Sequence, residues 1–182
     1  EMADAKVTEF ASMTFYKGTL CGKDAVVVRS GIGKVNAAIC AQILVDKFGV
    51  DTLINTGIAG SLDARIDIGD MVISTDAVHH DMDATIFGDA IGQVPRMDTR
   101  TFPADPRLVE LAVKANEKAN PQIHTFTGRV ASGDQFISSG EVKARIVENF
   151  QALCTEMEGV GIAHAAYLNK VSYVIIRAIS DK

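Results

Sequence analysis

Short runs of β-branched and apolar residues alternate with longer segments of helical spacing along this chain, and no other feature limits the fold as much. Ala25–Arg29 (AVVVR), Thr52–Asn55 (TLIN), Met71–Ser74 (MVIS), Arg129–Ser132 (RVAS) and Ser172–Arg177 (SYVIIR) read as strands. Runs that are apolar on both faces suit strands covered by helices on both sides. Lys34–Lys47 places Ala, Ile, Leu and Val at helical spacing, and Gly49 is its stop signal. Pro106–Ala119 follows Asp105, a natural N-cap, with proline at the first helical position. Gly140–Phe150 and Glu156–Asn169 complete the helices. The alternation predicts an α/β fold of three layers, α/β/α, around a central mixed β-sheet. The length, 182 residues, fits one domain, 1–182, able to bury a real core. Both ends read as incomplete, because Ser172–Arg177 is a buried-strand pattern with only five residues after it.

Charge narrows the partners. A net charge of -5 argues against a nucleic-acid backbone or an anionic membrane surface, but admits a small uncharged ligand. Cys21, Cys40 and Cys154 are odd in number and widely spaced, so they suggest neither a zinc ribbon nor a disulfide framework. They read as small buried side chains in a reducing compartment. EMADAKVTEF has no apolar segment of the kind a secretory leader needs, and no apolar run approaches the ~20 residues that span a bilayer. The expected location is the cytoplasm.

Ligands of open α/β sheets bind beyond the carboxyl ends of the strands. Ser30-Gly31-Ile32-Gly33-Lys34, Thr56-Gly57-Ile58-Ala59-Gly60 and Gly133-Asp134-Gln135-Phe136-Ile137 follow three of the strands as glycine-bearing turns, and Ala178-Ile179-Ser180-Asp181 follows a fourth. Gly31-Ile32-Gly33 is an incomplete dinucleotide fingerprint: the third glycine is missing, and the nearest later acid, Asp51, precedes a strand rather than ending one. Val35 after Gly33-Lys34 rules out a P-loop. Thr155 with Glu158 is spaced as a capping box. Glu156 and Glu158, two apart, do not share a helix face, so at most one of them points into a pocket built there. His79-His80-Asp81 with Asp83 is a poor chelating pattern, because adjacent ligands do not converge on one ion.

Six segments, SGIGKVNAA (30–38), INTGIAG (54–60), HHDMDATIFGDAIGQVP (79–95), VASGDQFIS (130–138), TEMEGVGIAH (155–164) and VIIRAISD (174–181), span nearly the whole chain. In that order they resemble the nucleoside phosphorylase/hydrolase superfamily and, within it, the 5'-methylthioadenosine/S-adenosylhomocysteine nucleosidases. The resemblance implies hydrolysis of an adenine nucleoside with water as co-substrate, and no cofactor or metal. It implies that Asp181 is the general acid that protonates N7 of adenine, a poor leaving group as an anion. It implies that Glu158 binds the ribose hydroxyls, with Met157 beside the sugar and Glu156 in the same substrate-binding segment. Phe136 matches the residue that stacks on the base, the Ile137 backbone the group that reads its edge, and Gly60 a backbone contact. Ile32 matches the apolar pocket for the 5'-alkylthio group. Phe87 and Pro95 match residues that a second subunit contributes to it, which implies a homodimer. The carboxylate that activates water in this family lies in a segment that nothing here matches; neither Glu1 nor Glu9 stands in such a motif. Phosphorylase relatives carry arginine where Asn55 stands and serine where Ile58 stands. An apolar Ile58 favours water over phosphate, since an anion there would be desolvated without donors. A purine nucleoside phosphorylase and an inactive nucleoside-binding fragment remain the alternatives.

Overall fold

The computed structural model describes residues 2–182. Its first three strands form a meander in the order β1 (Ala3–Phe10), β2 (Met13–Leu20) and β3 (Lys23–Val28). The sequence reading placed only one strand here, beginning at Ala25. The two others carry no strong signal, because they are solvent-facing over much of their length. The hairpin turns at Ala11–Ser12 and Cys21–Gly22 have positive φ at both residues, as two-residue hairpin loops require, but only one of the four residues is glycine. Cys21 is therefore exposed on a turn, whereas Cys40 and Cys154 are buried, in keeping with cysteines expected to be mostly buried. Phe15 and Met13 seal the meander onto helix α1 (Lys34–Phe48), with Phe15 stacked on Phe48 at 5.2 Å between ring centres.

The other strands are β4 (Thr52–Ser61), β5 (Met71–His79), β6 (Phe102–Pro103), β7 (Thr125–Ser132), β8 (Cys154–Glu156) and β9 (Ser172–Asp181). They order as β6-β5-β7-β8-β4-β9, and β9 also pairs with β5, so the mixed sheet curls round and closes on β5, with β6 outside the closure. Helices α2 (Pro106–Ala119), α3 (Gly140–Phe150) and α4 (Gly159–Asn169) flank it. The α/β class with a central mixed sheet holds, and α2 and α3 have the predicted bounds. For α2 the reason is local: the Asp105 carboxylate accepts from the N–H groups of Arg107 and Leu108. Helix α4 lies against α1 so closely that a Cβ on Gly161 would sit 2.6 Å from the Lys34 carbonyl oxygen. The main core gathers Leu53, Val72, Phe102, Val130, Val160 and Ile175 between sheet and helices.

Four expectations are corrected. The glycine-bearing stretch Thr56–Gly60 is not a turn: β4 runs through it to Ser61, because β9 pairs along its whole length and β8 joins the other side at Gly60. Ala178–Asp181 likewise stays within β9. The helix expected from Glu156 begins at Gly159, and the preceding residues form β8. No Thr155–Glu158 capping box forms; the Thr155 hydroxyl is buried without a partner among the described residues.

Strand directions decide where the functional residues meet. β5, β7 and β8 are mutually parallel, as are β4 and β9, while the β4–β8 and β5–β9 pairs are antiparallel. β8 overlaps β4 only at Gly60↔Thr155 and Ser61↔Cys154. The carboxyl ends of the two parallel sets are thereby brought face to face.

Candidate active site

Beneath this meeting point lies a sealed charge network. Arg177, in the middle of an otherwise apolar buried strand, is 1% exposed. A buried guanidinium must be paired to be tolerated. Its Nη2 donates to Glu156 Oε2 at 2.5 Å and to the Asn55 side-chain oxygen, and its Nη1 donates to the carbonyls of Asn55 and Ile176. Glu156 also accepts from the Ser132 hydroxyl and from the N–H groups of Glu158 and Gly159, at 3.0 and 2.7 Å to Oε2. The Val160 N–H donates to Ser132 Oγ at 2.8 Å. Glu156 and Ser132 thus satisfy the first free donors of α4, the role expected of a capping box. Four strands, β4, β7, β8 and β9, are tied together by one ion pair and its hydrogen bonds. Glu156, expected on the substrate side, has its carboxylate filled by protein donors.

Two residues on, Glu158 has different surroundings. It is half-buried and accepts from the Gly33 N–H at 2.9 Å. Burial pushes its carboxyl above the ordinary value, opposed by the Gly33 N–H and reinforced by the neighbouring Glu156 charge. Met157, between the two glutamates, is also half-buried.

Asp181 ends β9 directly opposite Gly60 of β4. A Cβ on Gly60 would lie 2.9 Å from Asp181 Oδ2, so the carboxylate rests against bare backbone and would have to shift for any larger residue. The Ser180 hydroxyl donates to Asp181 Oδ1 at 2.8 Å. Gly60 pairs with Asp181 on one side and with Thr155 on the other, which brings the acid and the Glu156–Glu158 corner to one rim.

Phe136 and Ile137 divide the loop after β7 between solvent and core. Ile137 is 7% exposed and packs with Val78, Ala131, Ile146 and Phe150, whereas the Phe136 ring is 77% exposed. Plain core packing, the unremarkable role for Phe136, is thereby excluded. Ile32 stands open at 74% in the loop before α1. Phe87, in the short helical turn Thr85–Phe87, and Pro95 are exposed on the β5–β6 connection. His79 and Asp81 both meet the Lys34 ammonium, His79 also faces His164, and Asp83 turns away to bond Thr85.

Sequence reasoning weighed Asn55, Lys34 and Asp81 only for other roles and gave none of Arg177, Asn55, Ser132, Lys34 and Asp81 a part in supporting the site. Arg177 left a usable signal, since a charge inside a run otherwise apolar on both faces demands a buried partner. Ser132 and Asn55 left none, because their roles appear only once distant strands are paired.

Comparison with known proteins places this geometry. A family model described as the phosphorylase superfamily matches residues 2–182. The 5'-methylthioadenosine/S-adenosylhomocysteine nucleosidase of Treponema pallidum is 43% identical over 194 aligned residues, covering 96% of this chain and 72% of that protein. Among solved structures, the nucleosidase of the same description from Colwellia psychrerythraea, in complex with adenine, superposes with a TM-score of 0.94 at 43% identity, covering 99% of this chain and 74% of that one. The enzyme of that description from Neisseria meningitidis, in complex with methylthio-immucillin-A, gives 0.94 at 40% identity over 99% of this chain and 78% of its own.

Proposed function

The chain belongs to the phosphorylase superfamily and, within it, to the 5'-methylthioadenosine/S-adenosylhomocysteine nucleosidases, and from that premise we propose how its own residues divide the work. The protein hydrolyses the N-glycosidic bond of 5'-methylthioadenosine- and S-adenosylhomocysteine-type nucleosides, releasing adenine and a thio-substituted ribose.

As the glycosidic bond breaks, electrons move into adenine and positive charge develops on the sugar. Asp181 donates a proton to N7, so that the base departs neutral rather than as an anion; water forms the new bond to the anomeric carbon as the bond to adenine breaks, and the proton it loses balances the one that Asp181 gives. Glu158 accepts hydrogen bonds from the ribose hydroxyls, and its negative charge offsets the oxocarbenium character of the transition state. Met157 packs beside the sugar. Phe136 presents an aromatic face to the purine, and the Ile137 backbone, held by its buried side chain, reads the edge of the base. Gly60 contributes open backbone beside Asp181. Glu156 acts one layer down, holding Glu158 and the start of α4 through Arg177 and Ser132. Ile32 lines the 5' pocket, and Phe87 and Pro95 of a second copy complete it, which makes the working unit a homodimer. The enzyme acts in the cytoplasm, a reading that rests on its free cysteines.

The observation that carries this reading is the register Asp181↔Gly60↔Thr155, which sets the acid beside the corner bearing Glu158. Water rather than phosphate is the nucleophile, because β4 presents Ile58, 67% exposed and without a donor, on its open face. The test is adenine release from 5'-methylthioadenosine in phosphate-free buffer, with the sugar product identified. Free methylthioribose formed at a rate indifferent to added phosphate is expected. A sugar phosphate, or turnover that requires phosphate, would overturn hydrolysis.

A further inference from the structure

Lys34 is in the wrong place for an ordinary helix. It is the first residue of α1, where the positive end of the helix dipole disfavours a cation, and no acid lies in the first turn to compensate. The side chain is nonetheless drawn in to 16% exposure. Its ammonium donates to Asp81 Oδ1 at 2.5 Å, lies 4.0 Å from Asp134 Oδ2 and faces His79 Nδ1 at 3.4 Å. The other oxygen of Asp81 accepts from the Asp134 N–H at 2.9 Å, and Asp134 Oδ1 accepts from the Lys34 N–H at 2.8 Å. Lys34, Asp81 and Asp134 therefore close a triangle in which each is bonded to the other two.

Each corner belongs to a different part of the rim. Asp81 follows β5, Asp134 stands two residues before Phe136, and Lys34 adjoins Gly33, whose N–H holds Glu158. The N-terminus of α1 has no local side-chain cap. Its free donors go instead to Asp134 and Glu158, 100 and 125 residues away along the chain. Burial opposes charge on Asp81, but the Lys34 ammonium and the Asp134 N–H outweigh it and hold the carboxyl below its ordinary value. His79 is held down to about 4, first by burial and then by Lys34, so it faces the ammonium as a neutral acceptor. His164 and His80, the other titratable groups nearby, are also lowered, first by burial.

We propose that Lys34 is a positioning residue, which through Asp81 and Asp134 fixes the Phe136 loop at a set distance from Glu158 and so sets base and sugar contacts relative to each other. This rests on the assignment of Phe136 to the base and Glu158 to the sugar. Lys34 itself touches no substrate. A misplacement of about 1 Å in such contacts costs on the order of a hundredfold in efficiency.

The test compares wild type with Lys34→Met, Lys34→Arg and Asp134→Ala, using steady-state adenine release, adenine affinity by calorimetry and thermal melting. Lys34→Met should raise KM and weaken adenine binding about tenfold or more at a temperature well below its melting midpoint, with kcat changed less; the midpoint itself should fall, because Asp81 is left unpaired. Lys34→Arg, which keeps the charge and its reach, should recover most of the loss. Equal losses of affinity in Met and Arg variants, or unchanged KM and affinity in the folded Met variant, would each overturn the proposal. Should Lys34→Met not fold, Asp134→Ala decides: Asp134 is exposed and its removal leaves the Lys34–Asp81 pair intact, so weakened adenine binding supports the clamp and unchanged binding overturns it. A wild-type protein that binds adenine without releasing it would sink the hydrolase assignment alone, since affinity still tests the clamp. A wild-type protein that does neither overturns both.

Discussion

Glu156 and Glu158 are two residues apart on one corner of the sheet, and they live in opposite electrostatic worlds. Glu156 is 8% exposed and surrounded by protein donors: Arg177, the Ser132 hydroxyl and two backbone N–H groups. Glu158 is half-buried and takes one backbone N–H, that of Gly33. Asp181, across the rim, has only its neighbour Ser180 as a hydrogen-bond donor among the described residues. The Glu156 carboxylate beneath the rim is filled by protein donors, and the carboxylates on the rim are not. A carboxylate with its lone pairs already filled can hold strands together; one with lone pairs left over can meet a ligand.

The sharpest way to break that division is to alter an unfilled carboxylate and look for a fall in stability. Asp181→Asn keeps the shape and a hydrogen-bonding amide but removes the proton to be transferred. We expect kcat for adenine release to fall about 10²- to 10⁴-fold, the usual worth of a general acid, with adenine affinity and melting midpoint retained. A loss under about tenfold would remove Asp181 from the acid's role.

The sealed layer should fail the other way. Arg177→Met strands the Glu156 carboxylate in a buried site, and breaking a buried pair from one side costs about 3–5 kcal/mol. Urea unfolding should register that loss. Arg177→Met combined with Glu156→Gln should lose less than Arg177→Met alone, because no unpaired charge then remains buried. If the double variant is the less stable of the two, Glu156 matters mainly as the cap of α4 rather than as the partner of Arg177.

How much of this was legible beforehand follows from the range of the interactions. Helix α2 could be read to the residue because Asp105 and Pro106 settle its start within one turn. Helix α4 could not, although TEME is spaced as a capping box, because its donors are taken by Glu156 and by Ser132 on another strand. The stretch INTGIAG suggested a turn through its two glycines; two neighbouring strands instead hold it extended, and one glycine yields its side-chain space to Asp181. Most of the candidate site was named through likeness of motifs, but its support was not. Arg177, Ser132, Asn55, Lys34 and Asp81 act across 21 to 122 residues of chain, and no local pattern encodes such pairings.

The smallest expected effect concerns the stability of Glu158. Burial raises its carboxyl above the ordinary value, so folding favours the protonated form. Its charge is therefore a cost that is present above the folded pKa and relieved as pH falls through it. Glu158→Gln removes that charge while its side-chain oxygen still accepts from the Gly33 N–H. At neutral pH the variant should melt slightly above wild type, and the gap should close on acidification as the wild-type carboxyl takes up its proton. Adenine release should nevertheless drop, because the amide offers no negative charge to the developing cation on the sugar. Paired melting curves at neutral and acidic pH, with turnover measured on the same samples, check both halves. A variant less stable than wild type at neutral pH would mean that the charged Gly33 contact outweighs desolvation, and that Glu158 belongs with Glu156 among the groups that hold the fold together.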